Sequence, residues 1–324
     1  MKYVIYGAGE NGINIAKSVG LSNVACFIDN YKTSATVGGG GVENLDIYSF
    51  DEFLKRGLKK DERIIVSPLF LRTIMEMVRQ LEKAGFDYLL SSDFGKMVID
   101  KEAKQYEALN KRPSFRIDEK NNYYWYEDRF GHAGSLGSYF WMDLWGAKKV
   151  KDLKPELHYD IGSRVDGFIS HLVLIGQKVK MIDIRPADLG LEGVDFVQAD
   201  ATNLDGIDDE SIESLSALCS PEHFGLGRYG DPIDPEACFK FFSCIEKKMK
   251  RGGHVYICVP VGHEQVEFNA HRVFAPRTVI ESFGDKMKLA EFSVTDGKSV
   301  EYNADVEGYG NVKHVEGLFE FIKM

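Results

Sequence analysis

Three carboxylates, Asp160, Asp183 and Asp200, close three short apolar runs in the stretch HYDIGSRVDGF, KVKMIDI, GVDFVQADAT. Apolar runs bounded by turn residues and separated by helix-length intervals predict the parallel strands of βαβ units. Ligands of such sheets sit beyond the carboxyl ends of the strands, so all three acids are expected along one edge. Gly162 lets the chain turn close to a ligand there. Asp183 follows Asp160 by 23 residues and suits the two hydroxyls of a ribose, while Asp200 suits an adenine amino group.

A second glycine turn opens the chain. MKYVIYGAGENGINIAKSV predicts strand, turn and helix, and Gly7, Gly9 and Gly12 match GxGxxG in that context. Gly7 serves the tight turn, Gly9 leaves room for a phosphate, and Gly12 allows close helix packing. The helix N-terminus, with Glu10 and Asn11 beside it, faces the anion. VACFIDN ends on Asp29, placed to accept from a ribose hydroxyl. The competing reading is that these glycines only permit a close strand-to-helix turn. Ser49 caps a helix in SFDEFLKRGL, ERIIVSP is a third strand, and PLFLRTIMEMVRQLEKAG is a long amphipathic helix closing on Gly85. FDYLLSSD is expected as a fourth strand, and VGGGGV at 37–42 as a loop over the site.

These elements imply an α/β protein of two Rossmann-like βαβ domains. The boundaries expected are 1–98 for a small nucleotide-binding-type domain, 99–153 for an aromatic-rich linker and lid, and 154–324 for the larger domain. Trp125, Tyr126, Tyr139, Phe140, Trp141 and Trp145 would stack on a ligand as a lid or pack as core between domains. Gly131, Gly134 and Gly137 would let that segment close, and His132 is a loose candidate within it.

From about residue 130 to the end the order of motifs resembles a class I S-adenosylmethionine-dependent methyltransferase. The resemblance rests on DIGSRVDG, on Asp183 after VKMI, on Asp200 after FVQA, on the strand SIESLSAL, and on KRGGHVYICVPVG before a fifth strand. It implies a seven-stranded sheet with an antiparallel last strand, GLFEFIKM, and a helix EACFKFFSCIEKKM between strands four and five. Cofactor contacts are implied for Asp160, Gly162, Ser163, Arg164, Asp183, Ile184, Asp200, Ala201 and Ser220. The glycine motif departs from the usual acid and three alternating glycines. Arg164 and Asp166 replace the second and third, so Arg164 either crowds the methionine moiety or pairs with a carboxylate. The loops SPEHFGLGRYGDPIDP and PVGHEQVEFNAHRVF further resemble an uncharacterised methyltransferase-like family. Residues 1 to about 95 resemble the small Rossmann-like modules of bacterial sugar-modifying enzymes, which implies a nucleotide or nucleotide-sugar ligand, with NAD behind it.

Methyl transfer to a hydroxyl needs positioning and a base. Strands four and five would end beside the methyl group, which makes Glu222, His223, Asp231, His263 and His271 the candidates. His223 is chosen as base because an ordinary imidazole pKa suits neutral pH, with Glu222 orienting it. Its competing role is a structural histidine within a turn. Arg228, Tyr229 and Arg272 are expected at the substrate, the arginines gripping a phosphate or carboxylate. His223, Asp231 and Asp234 offer metal ligands without clear spacing, so no metal is assigned. Cys219 and Cys258 read as small buried hydrophobes, and five cysteines without a CxxC pair suit a reducing compartment.

Composition fits this picture. The chain has 324 residues, 44% hydrophobic and 28% charged, enough for two cores. A net charge of −10 argues against nucleic acid as partner. The N-terminus enters a strand at once and no apolar run approaches membrane-spanning length, so a cytoplasmic protein is expected, acting on a small molecule, with homo-oligomers left open. The leading expectation is O-methylation of a saccharide, nucleotide-sugar or related polar metabolite. The alternatives are NAD- or nucleotide-sugar-dependent chemistry at Gly7–Gly12, and a non-catalytic nucleotide-binding scaffold with a degenerate cofactor site.

Overall fold

The computed structural model describes residues 1–31, 45–121, 124–126 and 136–324. The loop at 37–42, His132, Gly131 and Gly134 lie outside the described residues. The chain divides into two compact units, Met1–Gly134 and Ser135–Met324. The segment 99–153 is shared between them. Among the described residues no helix is long and apolar enough to cross a membrane.

The first unit runs β1 (Lys2–Tyr6), α1 (Glu10–Val19), β2 (Val24–Ile28), β3 (Ile47–Tyr48), α2 (Phe50–Arg56), β4 (Glu62–Val66), α3 (Leu71–Lys83), β5 (Tyr88–Leu90) and α4 (Ser91–Leu109). Its five strands are all parallel, in the order β3-β2-β1-β4-β5. Val4, Ile5 and Tyr6 in β1 and Ile64, Ile65 and Val66 in β4 are buried, as parallel strands covered on both faces require. Ser49 caps α2 in a reciprocal capping box with Glu52. The expected fourth strand is shorter than FDYLLSSD, because α4 begins at Ser91. Tyr126 joins this unit's core: its ring meets Phe94 edge-on and lies against Gly95, and its hydroxyl bonds that of Ser18.

The second unit runs α5 (Ser138–Leu153), β6 (His158–Ile161), α6 (Ser170–Leu174), β7 (Val179–Asp183), β8 (Val194–Gln198), β9 (Ile212–Leu218), α7 (Ala237–Lys248) and β10 (Met249–Val261). It continues through a hairpin of β11 (Gln265–Glu267) and β12 (His271–Val273). The last elements are α8 (Pro276–Ser282), β13 (Met287–Thr295), β14 (Val300–Glu301) and β15 (Val315–Lys323). The main sheet has the order β14-β13-β15-β10-β9-β6-β7-β8. Strands β6 to β10 are parallel, whereas β15 inserts antiparallel between β10 and β13. This is the class I methyltransferase order with its antiparallel last strand, extended at one edge by the two-residue β14. The order reverses between β6 and β9, which places a ligand crevice beyond their carboxyl ends.

Helix α5 belongs to this unit. Trp145 is buried against Tyr256 and donates to Glu291 Oε1 at 3.0 Å, while Trp141 donates to the Gly297 carbonyl. Thus Tyr126 and Trp145 serve two separate cores, and Trp125 and Tyr139 stay exposed. Asp143 of α5 faces the chain just after β6. A side chain at Gly167, where the chain kinks between Val165 and Ile169, would put its Cβ 2.5 Å from Asp143 Oδ2 and displace that carboxyl. Burial, with Asp160 nearby, pushes the Asp143 carboxyl up to about 7.

A carboxyl raised in the folded state binds more protons there than in the unfolded chain, so it lowers stability as pH rises through the window from about 4 to 7. Asp143→Asn should therefore match the parent below that window and exceed it by about 1–3 kcal/mol above it, after solvent screening. Urea midpoints at acid and neutral pH check this; a pH-independent difference would contradict the buried placement.

Candidate active site

The crevice at the sheet reversal is an open cleft with a cavity volume of about 190 Å³. Its walls combine Ile161, Ile182, Ile184, Ala201, Phe224 and Pro232 with polar groups from Asp183, Asp200, Ser220 and His223. Gly162 turns with φ +73°, and a Cβ there would sit 3.0 Å from Ser220 Cβ. The Ser220 hydroxyl donates to the Ile161 carbonyl at 2.7 Å and ties the ends of β6 and β9 together.

Asp160 does not line the cleft. Its carboxylate is fully buried and accepts from Ser163 N (3.1 Å), Ser163 Oγ (2.8 Å) and Ser216 Oγ (2.5 Å). The cofactor contact expected of Asp160 and Ser163 is thus replaced by a structural one: the acid holds the turn that Gly162 makes. Below it His158 is wholly buried, with Nδ1 2.8 Å from Ser214 Oγ and Nε2 2.8 Å from Ser216 Oγ. Burial takes its pKa down to about 3 and Asp160's up to about 6, the latter opposed by the serine hydrogen bonds. Arg164 resolves its two alternatives by pairing with Asp166, at 3.0 and 2.6 Å, on the surface.

Asp183 lies at the rim as expected but is already engaged. Arg185 grips it with Nε at 3.0 Å and Nη2 at 2.7 Å, and the Arg185 backbone N–H adds a third bond at 2.8 Å. The same guanidinium stacks over Tyr229, 4.4 Å from the ring centroid, and Arg228 lies 5.2 Å from that centroid. Arg185 was not among the sequence candidates; its only signal was a position two residues after the strand-ending acid. Asp200 is exposed at the other side of the cleft, accepting from Thr202 N.

His223 lines the cleft through a 3-10 turn at the end of β9. Its Nδ1 lies 2.7 Å from the Ala270 carbonyl, which assigns the proton to Nδ1 and the lone pair to Nε2. Burial lowers its pKa to about 4, so the ring is neutral at pH 7 but a weaker base than an ordinary imidazole. Glu222 Oε1 is 3.5 Å from Nε2, beyond a good hydrogen bond, and Glu222 Oε2 is buried without a partner among the described residues. Burial pushes this carboxyl far above the usual range. His271 is outside the cleft, its ring edge-on to His223 and His314. His263 and Asn269 are exposed.

Arg272 has a different role from the one expected. It is buried and donates to the carbonyls of Phe224 (2.7 Å), Pro235 (3.2 Å) and Glu222 (3.4 Å). It clamps the loop 222–235 and does not reach the cleft. Asp231 completes the clamp by accepting from Gly225 N, Gly227 N and Tyr229 N, and Asp234 binds Glu236 N and Lys240. These two carboxylates organise a loop and do not converge with His223 on an ion.

In the first unit, Gly7 has φ +108°, and a Cβ on Gly12 would lie 2.0 Å from the Gly7 carbonyl oxygen. Ser67 Oγ donates to the Tyr6 and Gly7 carbonyls and secures the turn, and Asn11 donates to the Ser67 carbonyl. Gly9 faces open space and Glu10 is exposed. The Asp29 carboxylate accepts from Ala8 N and Tyr31 N, both at 2.9 Å, so it braces the glycine turn.

The family described as "Caenorhabditis protein of unknown function, DUF268" matches residues 192–314. No curated protein matches. Among solved structures, the [4+2]-cyclase SpnF is 12% identical, with 72% of this chain and 96% of that one covered and a TM-score of 0.43. Geranyl diphosphate C-methyltransferase from Streptomyces coelicolor A3(2), solved with Mg2+, geranyl diphosphate and S-adenosyl-L-homocysteine, is 11% identical over 55% of this chain and 79% of that chain, TM-score 0.41. The Burkholderia thailandensis 1,6-didemethyltoxoflavin-N1-methyltransferase, solved with S-adenosylhomocysteine, is 13% identical over 74% and 92%, TM-score 0.39. Likenesses of this size carry no functional argument, and a cyclase stands among them.

Replacing Arg272 by methionine should cost about 2–4 kcal/mol, because three carbonyls lose a charged donor in a buried setting. A urea midpoint unchanged from the parent would remove the clamp.

Proposed function

We propose that the second unit is an S-adenosylmethionine-dependent methyltransferase acting on a hydroxyl of a saccharide, nucleotide-sugar or related small polar metabolite. The observation that carries this reading is the cleft at the strand reversal, walled by a glycine turn at φ +73° that lies close against Ser220 and rimmed by Asp183 and Asp200. Those groups suit a nucleoside: apolar walls for the base, and carboxylates that accept from ribose hydroxyls and an amino group. The cofactor, when bound, supplies an electrophilic methyl group on a sulfonium.

The protein's own residues supply the rest. Asp183 would hold the ribose once Arg185 swings aside. Arg185 and Arg228, flanking Tyr229 at the mouth, suit an anionic or hydroxyl-rich acceptor. His223 Nε2, unprotonated at neutral pH, would take the acceptor's hydroxyl proton as the new bond forms. The low pKa makes this acceptance weakly driven but keeps the site neutral beside the cofactor's positive charge. For the first unit we propose a nucleotide or nucleotide-sugar, supported by the open space at Gly9 before α1.

Calorimetric titration of S-adenosylhomocysteine into the purified chain tests the reading, with NAD and UDP-sugars titrated in parallel. Micromolar binding that disappears in Asp183→Ala is expected. Arg185→Ala should tighten binding by about fivefold, the equivalent of releasing an ion pair worth about 1 kcal/mol whose arginine is half exposed. A folded protein that binds no S-adenosylhomocysteine would end the methyltransferase proposal. Once an acceptor is known, His223→Ala should lower kcat by about 10²–10⁴-fold while S-adenosylhomocysteine affinity holds; full turnover would remove it as base.

A further inference from the structure

Under the cleft floor, three neighbouring strands bring together side chains that the cofactor reading leaves unused. Cys219 directly follows β9, Cys258 lies in β10, and Glu316 lies near the start of β15. Cys219 Sγ is 3.5 Å from Cys258 Sγ and 3.6 Å from Glu316 Oε2, and all three atoms lie within 4.8 Å of one another. The Met142 thioether sulfur is 3.4 Å from Cys219 Sγ. Among the described residues no other group of three or more His, Cys, Asp or Glu converges in this way.

We propose that Cys219, Cys258 and Glu316 form a zinc site at the floor of the cleft, with the fourth position open. The spacing supports it. Zinc bonds of about 2.3 Å to sulfur and about 2.0 Å to oxygen, at tetrahedral angles, separate the donors by about 3.8 Å (S to S) and about 3.5 Å (S to O). The two separations involving Cys219 Sγ therefore lie within about 0.3 Å of the edges of such a tetrahedron.

The donor set also selects the metal. Two sulfurs and a carboxylate suit zinc far better than magnesium or calcium, which take oxygen alone. Three protein ligands with one open position is the arrangement of a catalytic zinc ion, while a structural one closes all four. Of the three ligands, Cys219 also lines the cleft. The rigid framework of adjacent, hydrogen-bonded strands holds the ligands in place: Cys219 N–H donates to the Cys258 carbonyl at 2.9 Å. Cys219 adopts φ +54°, a left-handed conformation costly for a residue with a side chain, and this conformation accompanies the placement of its sulfur beside Cys258. A disulfide would account for the two sulfurs but not for the convergence of Glu316 and Met142 on them.

The test uses the full chain, stripped with chelator and kept reduced by a phosphine, titrated with Zn2+ by calorimetry and with Co2+ by absorbance. One equivalent should bind, and Co2+ should give a thiolate-to-metal charge-transfer band with tetrahedral d–d bands. Cys219→Ser and Cys258→Ser should each weaken zinc binding by about 100-fold or more and abolish the charge-transfer band, and Glu316→Gln should weaken binding. Cys244→Ser, a buried cysteine elsewhere in the core, should bind like the parent. Circular dichroism separates loss of metal from loss of fold. Absence of stoichiometric uptake by the folded, reduced parent would overturn the site, as would an unchanged charge-transfer band in the Cys219→Ser, Cys258→Ser double variant. Both readouts are independent of S-adenosylhomocysteine binding, so the zinc site and the methyltransferase reading fail separately.

Discussion

One buried carboxylate holds the cleft in shape. Asp160 has no exposed surface, and a charge so placed survives only if its lone pairs are filled. Ser163 fills two positions from its own backbone and side chain, and Ser216 fills a third from the neighbouring strand. Those bonds hold the β6 turn in the conformation that only Gly162 adopts without strain, and they lock β6 to β9 where the strand order reverses. His158 continues the polar layer from Ser216 to Ser214, one layer deeper in the sheet. A row of polar side chains inside an otherwise apolar sheet costs desolvation. Its return is a rigid floor under the ligand crevice.

The cleft wall opposite the turn is built by loop clamps. Arg272 spends its guanidinium on carbonyls and Asp231 its carboxylate on amides, so a loop containing three glycines between 225 and 230 keeps a defined path to His223. At the rim, Arg185 covers Asp183 and rests on Tyr229. The arginine of that pair is half exposed while Asp183 is nearly covered, so a ligand's hydroxyls would replace the arginine by competing for the carboxylate. The cleft thus combines a stiff floor with a rim that can be exchanged.

The first unit uses the same physics without the buried acid network. Its glycine turn is set by close approach: no side chain fits at Gly12 beneath the Gly7 carbonyl, and Ser67 and Asp29 satisfy the backbone groups that the turn exposes. A strand-to-helix turn of this kind is required by packing alone, whatever ligand it meets. Gly9 is the position where packing makes no demand, so its lack of a side chain is the local feature that leaves room for an anion.

Periodicity and turn residues were enough to read the longer strands of both sheets, the Ser49 cap and the carboxylates along one edge, because buried parallel strands and helix starts are local in sequence; the two-residue edge strands β3 and β14 were not read. The antiparallel last strand came through the resemblance, and strand pairing agrees with it. Boundaries were less legible. FDYLLSSD carries strand and helix propensity together, and the packing of Phe94 against the sheet decides that α4 starts at Ser91. The roles of single side chains were least legible of all. Nothing in the sequence distinguishes an arginine that clamps carbonyls from one that grips a substrate, or an aspartate that supports a turn from one that meets a ribose. Sequence by itself determined which strands form and where their acids fall. Tertiary structure alone decided that Asp160 points inward, that Arg272 is spent on a loop, and that Cys219, Cys258 and Glu316 meet. Those outcomes depend on contacts between strands far apart in the chain, where burial fixes each polar group's partner.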